Sequence, residues 1–275
     1  MRNTVLMGIV ASCLSALTLS CGAGAHIDRN VGNDSRRVIR LMSYNVGVFG
    51  KYSEDSAPEI AAMINGLGVT TCAVNELDSC NARNDIYQAR HLAECLGDGW
   101  DYSFGRAISF RGGSYGDGIV TRDRILDKYN IVLPQGDGAE QRVCVVIETK
   151  RYVFAATHLD HVSGAAALDQ ARLITDTLMK SYVAGHKHVF LCGDMNARPD
   201  SEVMEFYLRH WKNLSGTEFT FPSRSPEECI DYILLLNNGA KVNVLDSRVC
   251  TSSACCDVAD ASDHLPVMAE IELLP

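Results

Sequence analysis

The run HVFLCGDMNARPDSE, residues 188–202, decides how the rest of this chain is read. His188–Cys192 has the length and apolar content of a buried strand, and it stops at Gly193. Side chains alternate along an extended chain, so Asp194 and Asn196 can point one way while Met195 points back. Gly193 lets another backbone approach closely. An acid beside an amide can hold a hard cation and a phosphate oxygen together. Taken alone, the tetrapeptide is equally well explained as a turn after a strand, because Asp and Asn are common turn residues.

The same grammar recurs along the chain. Val38–Tyr44 ends at Asn45, Val69–Val74 at Asn75-Glu76, and Val153–Thr157 at His158. Further strand-like runs are Gly118–Thr121, Val143–Glu148, Ile230–Leu236 and Val267–Leu273. Helical spacing predicts helices over Pro58–Leu67, Ile86–Leu96 and Ala165–Tyr182. Many strands with a few helices imply an α/β or α+β domain on a layered sheet core. If the runs that end in polar residues are neighbours, their ends bring Asn, Glu, His and Asp to one rim, where ligand sites tend to form.

Two more clusters bear on chemistry. Asp231 interrupts the apolar run of residues 230–236, and a buried charge needs a partner. His264, next to Asp263 in Ser262–Val267, is the obvious candidate, although backbone amides would also satisfy an aspartate. His158 and Glu76, each taken singly, read equally well as a satisfied core histidine and a charge at a strand end.

Taken in order, LMSYNVG (41–47), VNELDS (74–79), GGSYGDGIVTR (112–122), ATHLDHV (156–162), LCGDMNARPDSE (191–202), ECIDYILL (228–235) and SDHLPV (262–267) resemble the motif series of the endonuclease/exonuclease/phosphatase superfamily. The resemblance covers about residues 38–275 and implies a DNase I-like four-layered α/β sandwich, two packed sheets with helices outside. It also implies roles. Glu76 is the main Mg²⁺ (or Mn²⁺) ligand, Asn45 touches metal or phosphate beside it, and Asp263 reaches the metal region through water. Asp194 orients or deprotonates the attacking water, and Asn196 holds the phosphate. His264, polarised by Asp231, is a general base or phosphate partner. His158 stabilises the charged phosphorane or the leaving oxygen, and Tyr115 donates to a phosphate oxygen. Arg142 stands where relatives often carry an arginine, as a phosphate contact or a surface ion pair. Carboxylate and amide donors suit Mg²⁺ or Mn²⁺ rather than zinc, and no CxxC pair offers a zinc site. Two departures stand out: Asn75, where many relatives have Gln, and Asp117, which adds negative charge and would disfavour polyanionic substrates or bind a second cation.

The amino terminus has a different character. Met1-Arg2-Asn3 precedes an uncharged, mostly apolar stretch from Val5 to Leu19, which reads as a signal peptide too short to span a membrane. Cys21 after Leu17-Thr18-Leu19-Ser20 suggests a lipoprotein with Cys21 acylated, although Thr18 replaces the usual aliphatic residue; cleavage at Ala23-Gly24-Ala25 is the alternative. The division expected is a signal peptide over 1–20, a polar tether over 21–37 and the domain over 38–275. That places the domain outside the cytoplasm, anchored to a bacterial membrane. Losing residues 1–20 removes one Arg and no acid, leaving 24 basic against 34 acidic residues and a net charge of −10. Such acidity disfavours nucleic acid as a partner. Of 11 cysteines, nine lie beyond Cys21. Cys144 and Cys192 fall in apolar runs, and Cys250, Cys255 and Cys256 are candidates for a disulfide. The sequence therefore points to a monomeric, metal-dependent hydrolase of small, sugar, inositol or lipid phosphate esters. A secreted nuclease of the same fold and a non-catalytic binding module are the alternatives.

Overall fold

The computed structural model describes residues 37–137 and 139–275. The predicted leader, Cys21 and all of the tether except Arg37 lie outside the described residues. Twelve strands form two six-stranded mixed sheets. The first sheet contains β1 (Val38–Asn45), β2 (Thr71–Ser79), β3 (Asp101–Phe110), β4 (Gly113–Thr121), β11 (Val242–Val249) and β12 (Val267–Leu273), in the order β11-β12-β1-β2-β4-β3. The second contains β5 (Asp127–Val132), β6 (Val143–Glu148), β7 (Tyr152–His158), β8 (His188–Asp194), β9 (Trp211–Asn213) and β10 (Asp231–Leu236), in the order β5-β6-β7-β8-β10-β9. Each sheet has one parallel pair, β1 with β2 and β7 with β8.

The helices follow from local sequence. Pro58 sits in the first turn of α1 (Ala57–Gly66), where its missing N–H costs nothing. Gly97 at φ 93° closes α2 (Gln88–Leu96). Ser163 and Ser201 cap α3 (Gly164–Tyr182) and α4 (Glu202–His210), their Oγ atoms accepting from the Ala166 and Met204 amides. A short α5 (Val258–Ala261) is capped by Asp257.

Three apolar clusters define the layers. Ile39, Leu41, Ala73, Phe154, Phe190, Ile233 and Ile271 are among the side chains that join the two sheets face to face. α1 and α2 cover the outer face of the first sheet. α3 and α4 cover the second, with Ile174, Leu178, Met204 and Tyr207 against Val153, Leu191 and Leu234. This is the four-layered sandwich that the resemblance implied. No helix among the described residues is long and apolar enough to cross a membrane.

Several expectations need correction. β2 does not stop at Val74 but continues to Ser79, with a pairing irregularity between Val74 and Leu77 that carries Glu76. The nine described cysteines are all free thiols, so the disulfide considered for Cys250, Cys255 and Cys256 is not formed. Cys250, just past β11, is buried against the α1 layer.

Candidate active site

Both parallel pairs deliver their carboxyl ends to one rim. Asn45 pairs with Asn75 across β1 and β2, and His158 with Asp194 across β7 and β8. β10 runs antiparallel to β8 and begins at Asp231, opposite Asp194. The loop before β12 brings Ser262, Asp263 and His264 to the same place, tied down by the Ser262 hydroxyl donating to the Asn45 carbonyl at 2.7 Å. At Gly193 the φ angle is +150°, and a Cβ there would lie 1.8 Å from the Thr157 carbonyl oxygen. Only glycine allows β7 and β8 to run this close immediately before His158 and Asp194. Glu76 and Asn196 adopt left-handed φ angles of 59° and 46°. Non-glycine residues held there are uncommon and cluster at functional sites.

Asp194 is the hub. Its Oδ2 accepts from Asn45 Nδ2 at 3.1 Å and lies 3.4 Å from His158 Nε2 and 3.6 Å from His264 Nε2. Its Oδ1 accepts from the Asn196 backbone amide at 2.9 Å. Burial, and then the Asp231 charge, push its carboxyl up to about 7, despite the opposing pull of His264. The His264 ring responds the other way: burial would lower it, but the Asp231 and Asp194 carboxylates outweigh that and raise it to about 10. Its Nδ1 lies 3.0 Å from Asp231 Oδ2, which also accepts from the Thr220 hydroxyl at 2.6 Å. His158 is held well below its ordinary value by burial and by neighbouring Arg142. It is therefore a neutral ring, and its contact with Asp194 is a polar one rather than an ion pair. Its Nδ1 is buried without a partner.

A second group lies beside this hub. Asn45 Nδ2 also donates to Glu76 Oε1 at 3.1 Å, while its Oδ1 accepts from the Gly47 amide. The Lys51 ammonium sits between Asp263 Oδ2 at 2.9 Å and Glu76 Oε2 at 3.9 Å. An ammonium lodged between two carboxylates marks a position where positive charge is favoured. Hard oxygen donors around it fit a divalent cation such as Mg²⁺ or Mn²⁺. Asp194, Asp231 and His264 also place ligand atoms within 4.8 Å of one another. All three are buried, and Asp231 already holds His264, so Glu76 with Asp263 is the better cradle.

A third group joins the two sheets beneath the rim. Asn75 donates to Asp117 Oδ1 at 2.8 Å and to the Thr157 carbonyl at 2.9 Å, and its Oδ1 accepts from the Asp194 amide at 3.1 Å. Burial raises the Asp117 carboxyl to about 7, opposed by its bond from Asn75 and by the Arg142 charge. Arg142 is buried, with Nη2 3.0 Å from His161 Nδ1 and Nε unpartnered. Burial and the Glu76 charge raise the Tyr115 phenol, keeping it a donor.

A groove of about 350 Å³ opens over this rim. Of the residues singled out in the sequence, Glu76, Tyr115, Arg142, His158, Asp194, Asn196, Asp263 and His264 face it, and Asn45 and Asp231 lie buried behind. Sequence reasoning did not find Lys51, His161, Thr220 or Phe221, whose ring centroid is 4.7 Å from that of His264. Lys51, Thr220 and Phe221 lie outside every motif, and His161, although inside ATHLDHV, was passed over there for His158.

A family model for the Endonuclease/Exonuclease/phosphatase family matches residues 42–264. The chain belongs to that family. Members of this family hydrolyse phosphoester bonds, and the acid–histidine rim is where such chemistry would sit. Among solved structures, an endonuclease/exonuclease/phosphatase from Bacteroides vulgatus aligns with a TM-score of 0.69 at 19% identity, over 86% of this chain and 99% of that one. A mannosyl-6-phosphatase from Bacteroides thetaiotaomicron aligns with a TM-score of 0.66 at 19% identity, over 85% and 99%. The human Nocturnin catalytic domain with bound sulfate aligns with a TM-score of 0.65 at 18% identity, over 87% and 94%. At these identities the likeness establishes the fold. No curated protein matches the chain by sequence.

Proposed function

We propose that the protein is a divalent-cation-dependent phosphoesterase acting on small, sugar, inositol or lipid phosphate esters. The observation that carries this reading is Asp194 Oδ2, placed within 3.6 Å of two imidazoles and accepting from the same Asn45 side-chain amide that donates to Glu76. Glu76 and Asp263 would hold Mg²⁺ or Mn²⁺, with Asn45 orienting the Glu76 carboxylate. A divalent cation bound there supplies charge neutralisation at the phosphoryl oxygens.

The chain's own groups do the rest. Asp194, titrating near neutrality, orients the attacking water and accepts its proton. His264 keeps its proton, held by Asp231, and offers Nε2–H to a phosphoryl oxygen. Tyr115, Asn196 and Arg142 line the same groove as further donors, which lets preorganised charge stabilise the transition state. Neutral His158 is left to serve the phosphorane or the leaving oxygen.

The leader and Cys21 support action outside the cytoplasm from a lipid anchor. A mass spectrum of the exported protein with an unmodified residue after Ala25 would reject the anchor. A secreted nuclease remains the second reading, disfavoured by the acidic charge. A binding module without activity is disfavoured because every residue the chemistry needs is retained.

The test uses purified protein with Mg²⁺ or Mn²⁺ on phosphomonoesters and phosphodiesters, with and without chelator. Asp194→Ala and His264→Ala are each expected to lose about 10³-fold in rate while keeping the wild-type circular dichroism spectrum. Near-wild-type turnover by either folded variant would defeat the assignment.

A further inference from the structure

Resting on that reading, we propose that a second groove continuous with the phosphate site receives an uncharged, hydroxyl-rich leaving group, a monosaccharide or similar polyol, and excludes a second phosphate. The groove is about 400 Å³ and shares His161, Asn196, Glu228 and Ile230 with the first. A substrate whose phosphorus sits by Asp194 would extend past Asn196 into it.

Its charged groups decide what fits. Asp160, Asp200 and Glu228 face the groove. Among the described residues lining it, Arg198 is the one Lys or Arg and is already paired with Glu228, while His161 faces the Arg142 guanidinium through Nδ1. Three carboxylates against one arginine give the groove a negative charge, an arrangement that welcomes hydroxyl protons and repels a second phosphate.

Asp160 supplies the independent observation. It is buried at 2% exposure, and its Oδ1 accepts from the Val162 and Ser163 amides at 2.7 and 2.8 Å. Its Oδ2 is buried with no partner. A buried carboxylate oxygen left unpaired is costly, and a ligand hydroxyl donating to it would remove the cost. Ile230 and Val203 give the same groove an apolar wall for the carbon face of a ring.

The experiment compares kcat/KM for hexose 6-phosphate, glycerol phosphate, fructose 1,6-bisphosphate and phenyl phosphate in wild type, Asp160→Asn, Asp200→Asn and Glu228→Gln. Wild type is expected to prefer polyol monophosphates over the bisphosphate by at least about tenfold. The variants should lower the hexose-phosphate to phenyl-phosphate ratio by about tenfold, the loss of one charge-assisted hydrogen bond. Asp200 is exposed and Glu228 half-exposed, so those two variants keep the test open if Asp160→Asn fails to fold. Preference for the bisphosphate, or an unchanged ratio in both surface variants, overturns the leaving-group assignment while leaving the phosphoesterase reading intact. Failure of wild type to cleave any of the four, or bis-p-nitrophenyl phosphate, overturns both.

Discussion

Asp117 is buried, hydrogen-bonded by Asn75 and attracted by Arg142, yet its carboxyl is pushed up to about 7 because burial outweighs both. The folded state therefore keeps a proton that the unfolded chain has released, and the stability lost to this group grows as pH rises from about 4 to about 7. Asp117→Asn, which keeps an acceptor for Asn75, should raise the melting temperature relative to wild type progressively over that window in chelated protein. A melting difference that stays flat across the pH series would contradict this. The sequence singled out Asp117 as a departure but gave no hint of its link to Asn75, because the two meet only once β2 and β4 pair in the first sheet. The pairing of Asp231 with His264, by contrast, was legible from the cost of a carboxylate in an apolar run, and the two lie 3.0 Å apart. Lys51 was invisible because a lysine in a loop has no pattern; its place between Glu76 and Asp263 exists only once its own loop and the loop before β12 have folded against β2.

At the scale of elements, the apolar runs located the central strands well, and the misses have a common cause. β3, β5, β9 and β11, none of them anticipated, are the edges of the two sheets. Edge strands are half-solvated and carry polar and charged side chains, as in Asp101–Phe110, Asp127–Val132 and Val242–Val249, so no continuous apolar run announces them. α4 was missed too, although Ser201 stands before Glu202 and Glu205 as a helix start should. The Ser201 Oγ accepts from Met204 N at 3.2 Å. Ser201→Ala should cost about 1 kcal/mol, a melting shift of roughly 2–4 °C for a domain of this size. An unchanged thermal denaturation profile would show the cap to be idle.

At the scale of the whole molecule, the rim is built from both sheets, so it exists only while they stay packed. Phe190 lies fully buried between them, its ring centroid 6.0 Å from that of Tyr152. Phe190→Ala should destabilise by about 3–5 kcal/mol. Hydrolysis should then disappear at the same denaturant concentration as the circular dichroism signal; activity lost well before unfolding would mean that the rim is held by something other than sheet packing. The layered class was readable from alternating strands and helices, whereas the way the sheets face each other depends on which side of each strand is apolar, and fully buried runs hide that. The nine free thiols carry a last consequence. Cys72, Cys144, Cys192, Cys229 and Cys250 are buried, and burial raises each of them, whereas Cys80 and Cys255 are exposed and Cys95 and Cys256 partly so. In an oxidising medium the folded protein shelters most of its sulfur, and a chromogenic thiol reagent becomes a built-in gauge of how far the sandwich has opened.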